Sequence, residues 1–209
     1  MLIDFDTIVK KYGKPSGIIH IGAHMREERD AYLKHSIDSI LWIEANPEIF
    51  NQINAMPKNT NEIILNAVIS NTDGDTVNFN ITNNGQSSSL LGLDKHREYY
   101  PNIYVNKTIS VITQRMDTLI QHNCIDISKY NFVNIDIQGA ELLALKGFGN
   151  LLNNIFYIYT EINTNSLYKN CALLTEIDDY LNNFNFQRVE TEMTNFEWGD
   201  ALYLSLIHI

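Results

Sequence analysis

Apolar runs of strand length alternate along the chain with stretches of helical period, which is the pattern of a parallel sheet covered by helices. Residues 17–21 predict a short buried strand, and residues 25–35 predict the helix after it. Residues 39–43 predict a second strand, after which Asn46 is a candidate N-cap and Pro47 takes the favoured first helical position. The chain therefore opens with two β-α units.

The middle of the chain departs from this alternation. Residues 62–69 predict a third strand, residues 71–75 carry turn chemistry, and residues 76–81 alternate as a half-buried antiparallel strand does. A polar stretch at 83–101 has no clear period and predicts a long loop, a kind of segment that is often functional. Because a further strand is predicted at 107–113, we expect an inserted antiparallel segment here.

The β-α alternation resumes in the second half. The predicted elements are a short helix at 116–121, a strand at 131–137, a helix at 138–146 that stops at Gly147, a strand at 155–160, a helix at 173–181 and two last strands at 186–191 and 201–206. The short link between the last two strands predicts an antiparallel pair. The whole pattern predicts an α/β fold with a mostly parallel sheet.

Composition narrows the class of protein. With 44% apolar and 19% charged residues, residues 1–209 are expected to form a single globular domain. A formal charge of -10 would repel a phosphate backbone, so we expect no nucleic-acid partner. No segment approaches the ~18 apolar residues of a membrane span. Cys124 and Cys171 are too few for a metal-ligand set or a disulfide framework, and they fit a reducing, cytoplasmic location.

A glycine and an acidic residue end the first two predicted strands. Gly22 would let the backbone approach a ligand, and Glu44 stands where a carboxylate can accept both ribose hydroxyls of a nucleoside. Taken singly, each has a plain structural alternative, a turn glycine and a solvated strand end. Because Ala23 and His24 follow the single Gly22, the glycines that hold a pyrophosphate are missing. The sequence therefore favours a nucleoside cofactor without a pyrophosphate over a nicotinamide cofactor.

Two carboxylates are predicted at neighbouring strand ends, where ligands bind in open α/β sheets. Asp136 could serve as a general base toward a hydroxyl, or help to hold a metal; its alternative role is the N-cap of the next helix. Glu161 could share a proton or a divalent cation with Asp136, or be structural. His24 is a third catalytic candidate, because imidazole titrates near neutral pH. Metal involvement stays open.

These residues together resemble the FkbM-type S-adenosylmethionine-dependent methyltransferases over nearly the whole chain. The most specific match is the block Asn134-Ile135-Asp136-Ile137-Gln138-Gly139-Ala140-Glu141. Supporting matches are Ile19-His20-Ile21-Gly22-Ala23-His24, Trp42-Ile43-Glu44-Ala45-Asn46-Pro47 and Gly199-Asp200-Ala201-Leu202-Tyr203. The resemblance implies a Class I methyltransferase Rossmann-like fold, in which the last strand of a seven-stranded sheet is antiparallel.

The resemblance also implies S-adenosylmethionine as the cofactor. The implied cofactor-binding positions are Ile21, Gly22, Ala23, His24, Glu28, Glu44, Ala45, Asn46, Asn66, Ala67, Asp136 and Gln138. His24 stands where many members carry Asn, and Gln138 stands where the family usually has Glu. An acid, base or metal role at position 138 is therefore lost, or has moved to a neighbour such as Glu141.

The function implied by the resemblance is O-methylation of a hydroxyl, commonly of a sugar in a glycan or glycoconjugate. The expected partner is a carbohydrate or another small hydroxylated acceptor. A nicotinamide-dependent oxidoreductase is one alternative, and a catalytically inactive binding protein that keeps the fold is another.

Overall fold

Ten strands and seven α-helices form within residues 1–208, the part of the chain that the computed structural model describes. The strands are β1 (Ile18–Ile21), β2 (Ile40–Glu44), β3 (Glu62–Asn66), β4 (Val68–Ile69), β5 (Thr76–Thr82), β6 (Val105–Gln114), β7 (Phe132–Ile135), β8 (Tyr157–Asn163), β9 (Phe186–Met193) and β10 (Trp198–Ser205). The helices are α1 (Phe5–Tyr12), α2 (Arg29–Lys34), α3 (Pro47–Ala55), α4 (His96–Tyr99), α5 (Met116–His122), α6 (Glu141–Phe148) and α7 (Leu174–Asn182).

Seven strands form the central sheet in the order β3-β2-β1-β7-β8-β10-β9. β1 pairs in parallel with both β2 and β7, and β8 extends the parallel set beside β7. β10 lies antiparallel between β8 and β9. The predicted fold, a mostly parallel seven-stranded sheet with an antiparallel last strand, is confirmed.

Helices cover both faces of this sheet, because successive residues of a strand point to opposite sides. In β1, Ile18 packs with Trp42 and Phe132 in a cluster that includes residues of α1, α2 and α3. Its neighbour Ile19 packs with Leu41 in a cluster that includes residues of α5, α6 and α7. Burial of each such side chain contributes about 1.5–3 kcal/mol, so the strand ends are held on a firmly packed frame.

A second sheet of three strands, in the order β4-β6-β5, forms the insertion. β5 and β6 pair antiparallel, as predicted, while β4 runs parallel to β6. The prediction of one strand over residues 62–69 is wrong, because the chain leaves the central sheet after Asn66. There the Ala67 N–H donates to the Glu44 carbonyl oxygen at 3.2 Å, and Val68 starts to pair with β6.

Two helices begin later than the apolar period indicates. α2 starts at Arg29 rather than at residue 25, because His24 and Arg26 have positive φ angles of 40° and 60°. α6 starts at Glu141 rather than at residue 138, because Gln138 and Gly139 have φ angles of 61° and 96°. In both places the backbone passes through left-handed conformations between a strand and its helix.

Gly147 lies inside α6 and does not stop it, so that prediction is wrong. A Cβ at this position would lie 2.3 Å from the carbonyl oxygen of Ser70, which shows why the helix has glycine where it packs on the insertion. The helix ends at Phe148, and Gly149, with a φ of 51°, is its C-cap.

The ends of the chain add one helix and lengthen one strand. The apolar period of the sequence does not predict α1, in which Asp4 accepts a hydrogen bond from the Thr7 N–H at 3.1 Å and Phe5 is buried. β10 starts at Trp198, three residues before the predicted position 201, and ends at Ser205, while Ile209 lies outside the described residues. Within residues 1–208, no helix combines the length and the apolar character needed to cross a membrane.

Candidate active site

Two adjoining cavities open at the carboxyl edge of β1, β2, β7 and β8, the edge at which open α/β sheets bind ligands. The larger one, the main cavity, has a volume of about 440 Å³. The smaller one, the side slot, has a volume of about 60 Å³. Gly22, His24, Gln86 and Asp136 line both spaces and so form their common wall.

Glu44, at the end of β2, presents its carboxylate to the side slot. The His24 N–H donates to Oε2 at 2.8 Å, and the Asn46 N–H donates to Oε1 at 2.7 Å. Burial raises the pKa of Glu44, and these hydrogen bonds act in the opposite direction. Each oxygen keeps a further lone pair, so a ligand in the slot can donate to this carboxylate.

The rest of the side slot is mostly apolar. Ile43 from β2, Ala67 and Ile69 from the start of the insertion, Phe79 from β5 and Leu90 from the loop after it contribute apolar side chains. A planar apolar group is therefore better suited to this part of the slot than a charged one.

Gly22 is required by a contact between two strand ends. It has a φ of +90°, and a Cβ built on it would lie 1.8 Å from the carbonyl oxygen of Asp136. The Gly22 N–H donates to the Ile43 carbonyl oxygen at 2.9 Å, and the Asp136 N–H donates to the Ile21 carbonyl oxygen at 3.0 Å. The bare glycine thus lets the backbone that follows β7 cross over the end of β1.

A side-chain amide joins the two predicted carboxylates in the main cavity. Gln138 Nε2 donates to Asp136 Oδ1 and to Glu161 Oε2, both at 2.7 Å, and its Oε1 accepts from the Tyr168 hydroxyl at 2.5 Å. Both N–H groups of the amide are therefore used, which fixes its orientation. Asp136 follows β7 directly and is not a helix N-cap, since Ala140 occupies that position of α6. Glu161 lies within β8, two residues before its end.

The surroundings favour the protonated forms of both carboxyl groups. Asp136 faces the cavity opening, yet the walls around it reduce its hydration, and together with the Asp200 carboxylate they raise its pKa to about 6. Glu161 is 5% exposed, and burial, followed by repulsion from Asp136, raises its pKa well above the ordinary value. Burial thus favours the protonated form of Glu161, whereas Asp136, with a pKa of about 6, is ionised at pH 7.

Glu141 lies behind this network and lines neither cavity among the described residues. Its Oε1 accepts from the Ile137 N–H at 3.1 Å and from the Gly139 N–H at 3.0 Å. Burial raises its pKa to about 7. Glu141 fixes the turn that presents Asp136 and Gln138, so it has not taken over a role of position 138 at the cavity surface.

His24 and Glu28 lie on the β1 side of the main cavity. The Nδ1 atom of His24 is 2.6 Å from Glu27 Oε1, so this ring nitrogen is engaged within the protein. Glu28 Oε1 is 3.3 Å from the amino group of Met1. Both carboxylates add to the acidic character of this wall.

Comparison with known families decides the class of protein. The family model of the Methyltransferase FkbM domain matches residues 20–188, which is most of the chain. The chain belongs to this family. The resemblance inferred from the sequence is confirmed, and the FkbM domain match begins within β1 and ends within β9. No curated protein is similar enough in sequence to this FkbM chain to count as a match.

Solved structures similar to this FkbM domain are methyltransferases. TrmK from M. capricolum, in complex with S-adenosyl-homocysteine, is 9% identical over 98% of this chain and 69% of its own, with a TM-score of 0.50. The methyltransferase domain of the bacterial protein CtHen1-C is 8% identical over 98% of this chain and 96% of its own, with a TM-score of 0.52. At these identities the likeness shows the Rossmann-like methyltransferase fold alone. Family membership favours a methyltransferase over the nicotinamide oxidoreductase considered from the sequence.

Most of the predicted cofactor-binding positions lie at the two cavities of the FkbM domain. Those that line one or both cavities are Ile21, Gly22, His24, Glu28, Glu44, Ala45, Ala67, Asp136 and Gln138. Within residues 1–208, Ala23, Asn46 and Asn66 line neither. Asn46 caps α3, the Ala23 N–H donates to a backbone carbonyl of β2, and Asn66 Nδ2 donates to the carbonyl oxygens of Glu44 at 2.7 Å and Ala45 at 3.2 Å. These three residues fix the backbone around Glu44.

Sequence reasoning missed the aromatic residues of the main cavity. Tyr100, Tyr168 and Trp198 line it from three separate parts of the chain, and single aromatic residues at such separations give no spacing signal. The predicted long loop does contribute to this cavity, because Gln86 and His96 come from it.

The carboxylate pair does not fit a divalent metal. Within residues 1–208, no group of three or more His, Cys, Asp or Glu side chains could hold such an ion. Gln138 Nε2, a hydrogen-bond donor, also lies between the Asp136 and Glu161 oxygens. The two amide N–H groups stabilise the carboxyl oxygens of the pair by hydrogen bonds, in the place where a cation would otherwise do so.

Proposed function

We propose that this FkbM domain is an S-adenosylmethionine-dependent O-methyltransferase that acts on a hydroxyl of a sugar. The observation that carries the proposal is the common wall of the side slot and the main cavity, formed by Gly22, His24, Gln86 and Asp136. A nucleoside cofactor in the slot and an acceptor in the main cavity would meet at this wall. Family membership supports methyl transfer as the reaction.

The side slot suits the adenosyl part of the cofactor. The remaining lone pairs of Glu44 suit two ribose hydroxyls, and the apolar surface of Ala67 and Phe79 suits a purine ring. S-adenosylmethionine supplies an electrophilic methyl group on a sulfonium ion. The S-adenosyl-homocysteine bound to M. capricolum TrmK, a protein of the same fold, supports this choice.

Part of the slot has to open when the cofactor binds. Its volume of about 60 Å³ is well below the about 300–1,000 Å³ of common ligand pockets. Gly85, Gln86, Ser88 and Leu90 form the side that belongs to the loop after β5. This side moves outward in the proposed function, because the facing side is built on the packed ends of β1 and β2.

Asp136 is proposed as the general base. With a pKa of about 6 it is ionised at pH 7, and Gln138 engages its Oδ1, which leaves Oδ2 to accept the acceptor's hydroxyl proton. The acceptor's proton would pass to Oδ2 as its oxygen bonds to the methyl carbon and the carbon–sulfur bond of the cofactor breaks, which would leave the neutral thioether S-adenosyl-homocysteine. The proton would then leave Oδ2 through the cavity opening. Burial disfavours ionisation of Glu161, and with it a second negative charge beside the base. General-base catalysis of this kind is typically worth ~10²–10⁴-fold in rate.

The main cavity favours a neutral hydroxylated acceptor over a polyanion. Glu27, Glu28, Asp136 and Glu161 line it, and no Lys or Arg side chain lines it within residues 1–208. Nucleic-acid binding usually relies on several Lys or Arg contacts to phosphates. These features support the expectation of a sugar acceptor and the absence of a nucleic-acid partner.

Calorimetry with S-adenosyl-homocysteine tests the cofactor site. Glu44→Ala removes the acceptor of two hydrogen bonds to a charged group, so we expect its Kd to rise by about 10²-fold. The matched control is Glu192→Ala, an exposed carboxylate on β9, which is separated from β2 by four strands of the sheet. Equal affinities of the two variants would refute the role of Glu44.

Mass spectrometry with an isotopically labelled methyl donor tests the reaction. The parent protein is incubated with separate panels of monosaccharides, oligosaccharides and RNA, and labelled methyl groups are located on the products. We expect label on a sugar hydroxyl only. Label on RNA alone, or on nitrogen alone, would overturn the proposed acceptor class.

A further inference from the structure

An aromatic wall leads from the main cavity to the protein surface. Tyr100, directly after α4, and Trp198, the first residue of β10, line the main cavity, and the Trp198 Nε1–H donates to the Tyr100 hydroxyl at 2.9 Å. Outside the cavity, the ring of Phe196 packs on the rings of Tyr99 and Tyr100, with centroid distances of 5.6 and 5.4 Å. Phe196 is 41% exposed. An exposed aromatic ring that continues a cavity wall is suited to contact a ligand.

The turn that carries Phe196 is fixed by specific contacts. Glu197 has a positive φ of 62°, which is unfavourable for a residue with a Cβ. Its carboxylate accepts from the Tyr99 hydroxyl at 2.5 Å and from the Asn165 side-chain amide at 3.1 Å. The Thr164 N–H also donates to its carbonyl oxygen at 2.9 Å. These contacts hold Phe196 beside Tyr99 rather than leaving it on a free loop.

A buried imidazole at the inner end of the wall lacks a hydrogen-bond partner. His96 lines the main cavity, is 5% exposed, and packs on Tyr100 and Tyr168 with ring centroids 4.9 and 5.4 Å away. Within residues 1–208, no group hydrogen-bonds to its Nδ1. Burial also lowers the pKa of His96, so the ring is neutral at pH 7. Buried polar groups nearly always have a partner, and since Nδ1 is itself buried, a ring flip that turns it toward the cavity would let a ligand hydroxyl supply one.

The polar groups near this wall suit hydroxyls rather than phosphates. Asn84, Gln86 and Ser87 line the same cavity, and its charged side chains are acidic. A pyranose ring has C–H faces that pack on aromatic rings and hydroxyls that pair with amides and imidazoles. A phosphorylated ligand would meet these carboxylates, and the Met1 amino group at the same cavity already pairs with Glu28 at 3.3 Å.

We infer that His96, Tyr100, Trp198 and Phe196 form a subsite for a second sugar ring, so that the acceptor is an oligosaccharide rather than a free monosaccharide. The inference rests on the proposed function, in which the first ring lies beside Asp136. The second ring packs on the aromatic wall and donates a hydroxyl hydrogen bond to, or accepts one from, His96. The exposed ring of Phe196 extends the contact beyond the cavity.

The test compares sugars of increasing length. The probes are glucose, mannose and N-acetylglucosamine, each as the monosaccharide, disaccharide and trisaccharide. Methyl transfer gives kcat/KM for each probe, and Trp fluorescence in the presence of S-adenosyl-homocysteine gives binding without turnover. Because Trp42, the other of the two tryptophans, is fully buried in the core, a fluorescence change on binding reports Trp198.

Two variants address the subsite, and a third is their control. Phe196→Ala removes the exposed ring, and His96→Phe keeps the packing but removes the imidazole nitrogens. Tyr104→Ala is the control, because Tyr104 is a 57% exposed aromatic residue that does not line the main cavity within the described residues. Since no internal hydrogen bond to Nδ1 is lost, His96→Phe is expected to keep the parent Tm, which separates loss of binding from misfolding.

We expect the parent to prefer a trisaccharide over its monosaccharide by at least about tenfold in kcat/KM, as stacking on an aromatic ring is worth about that much. Phe196→Ala and His96→Phe should each remove most of this preference and weaken trisaccharide binding, while monosaccharide turnover and S-adenosyl-homocysteine affinity stay at parent values. Equal use of monosaccharides and trisaccharides by the parent, or unchanged trisaccharide binding in both variants, would overturn the subsite and leave the proposed function standing. A protein that binds S-adenosyl-homocysteine but methylates none of these sugars would instead overturn the sugar acceptor itself.

Discussion

Replacing Gly22 with alanine tests how closely the ends of β1 and β7 are joined. A Cβ at this position would lie 1.8 Å from the Asp136 carbonyl oxygen and 2.9 Å from its carbon, both backbone atoms. Gly74 offers a matched control, because it has a similar φ of +80° but no atom within 4 Å of its Cβ position. The two substitutions share the backbone conformation and differ in the clash.

The expected losses of stability follow from the left-handed backbone conformation and from the clash of the added Cβ. A left-handed conformation costs alanine about 1–2 kcal/mol, which is the whole expected effect of Gly74→Ala. Gly22→Ala pays the same cost and must also move backbone from 1.8 Å to beyond 3.0 Å. Overpacking of this kind adds about 1–3 kcal/mol, so we expect a total of about 2–5 kcal/mol. For a chain of this size, that lowers the Tm by roughly 4–20 °C.

Urea unfolding of the parent and both variants measures the difference directly. We expect Gly22→Ala to lose about 1–3 kcal/mol more than Gly74→Ala. We also expect weaker binding of S-adenosyl-homocysteine, because Asp136 has to move. Equal unfolding free energies for the two variants would show that the strand ends separate easily, and the reasoning about Gly22 would be wrong.

Three further predictions concern the carboxylate pair. Asp136→Asn should lower turnover by about 10²-fold or more while the Kd of S-adenosyl-homocysteine, measured by calorimetry, stays near that of the parent; an unchanged rate would remove Asp136 from the chemistry. The parent's kcat/KM should fall as pH drops below about 6, where Asp136 becomes protonated. Gln138→Met should move this acidic limb of the pH profile up to about pH 7, because a lost hydrogen bond to a charged group is worth about 1.5 kcal/mol. A limb that stays in place or moves to lower pH would contradict the role of Gln138. Burial raises the pKa of Glu161 above 4.5, so the folded protein loses stability as pH rises and this buried carboxyl group has to ionise. Glu161→Gln cannot ionise. It should therefore raise the free energy of urea unfolding more at pH 8 than at pH 5.

The sequence was sufficient to predict the central sheet and the residues that the sheet brings together at its carboxyl edge. Gly22, Glu44 and Asp136 each follow or end an apolar run, and parallel strands bring their carboxyl ends to one edge. Their placement around the side slot therefore follows from strand order alone. Glu161 could be placed near Asp136 for the same reason, because β7 and β8 are neighbours.

What the sequence could not provide depends on backbone conformation and on contacts between distant segments. The positive φ of Gln138 turns its amide back between two carboxylates, whereas a helical period places residue 138 in the first turn of α6. Val68 and Ile69 are apolar enough for either sheet, so the run 62–69 does not reveal that the chain changes sheets at Ala67. The contact between Phe196 and Tyr100 joins residues that no periodicity relates.

The insertion between β3 and α5 has a consequence for how such enzymes diverge. Asn84, Gln86, His96 and Tyr100 all reach the main cavity from one continuous stretch, whereas Asp136 and the other groups proposed for the chemistry come from outside it. Exchange of this single stretch between relatives would therefore change acceptor contacts while Asp136 stays in place, and it would also exchange Ala67 and Phe79 of the side slot. Chimeras made at its two junctions would inherit these contacts of the donor protein together, while Trp198 and Phe196 would remain those of the parent.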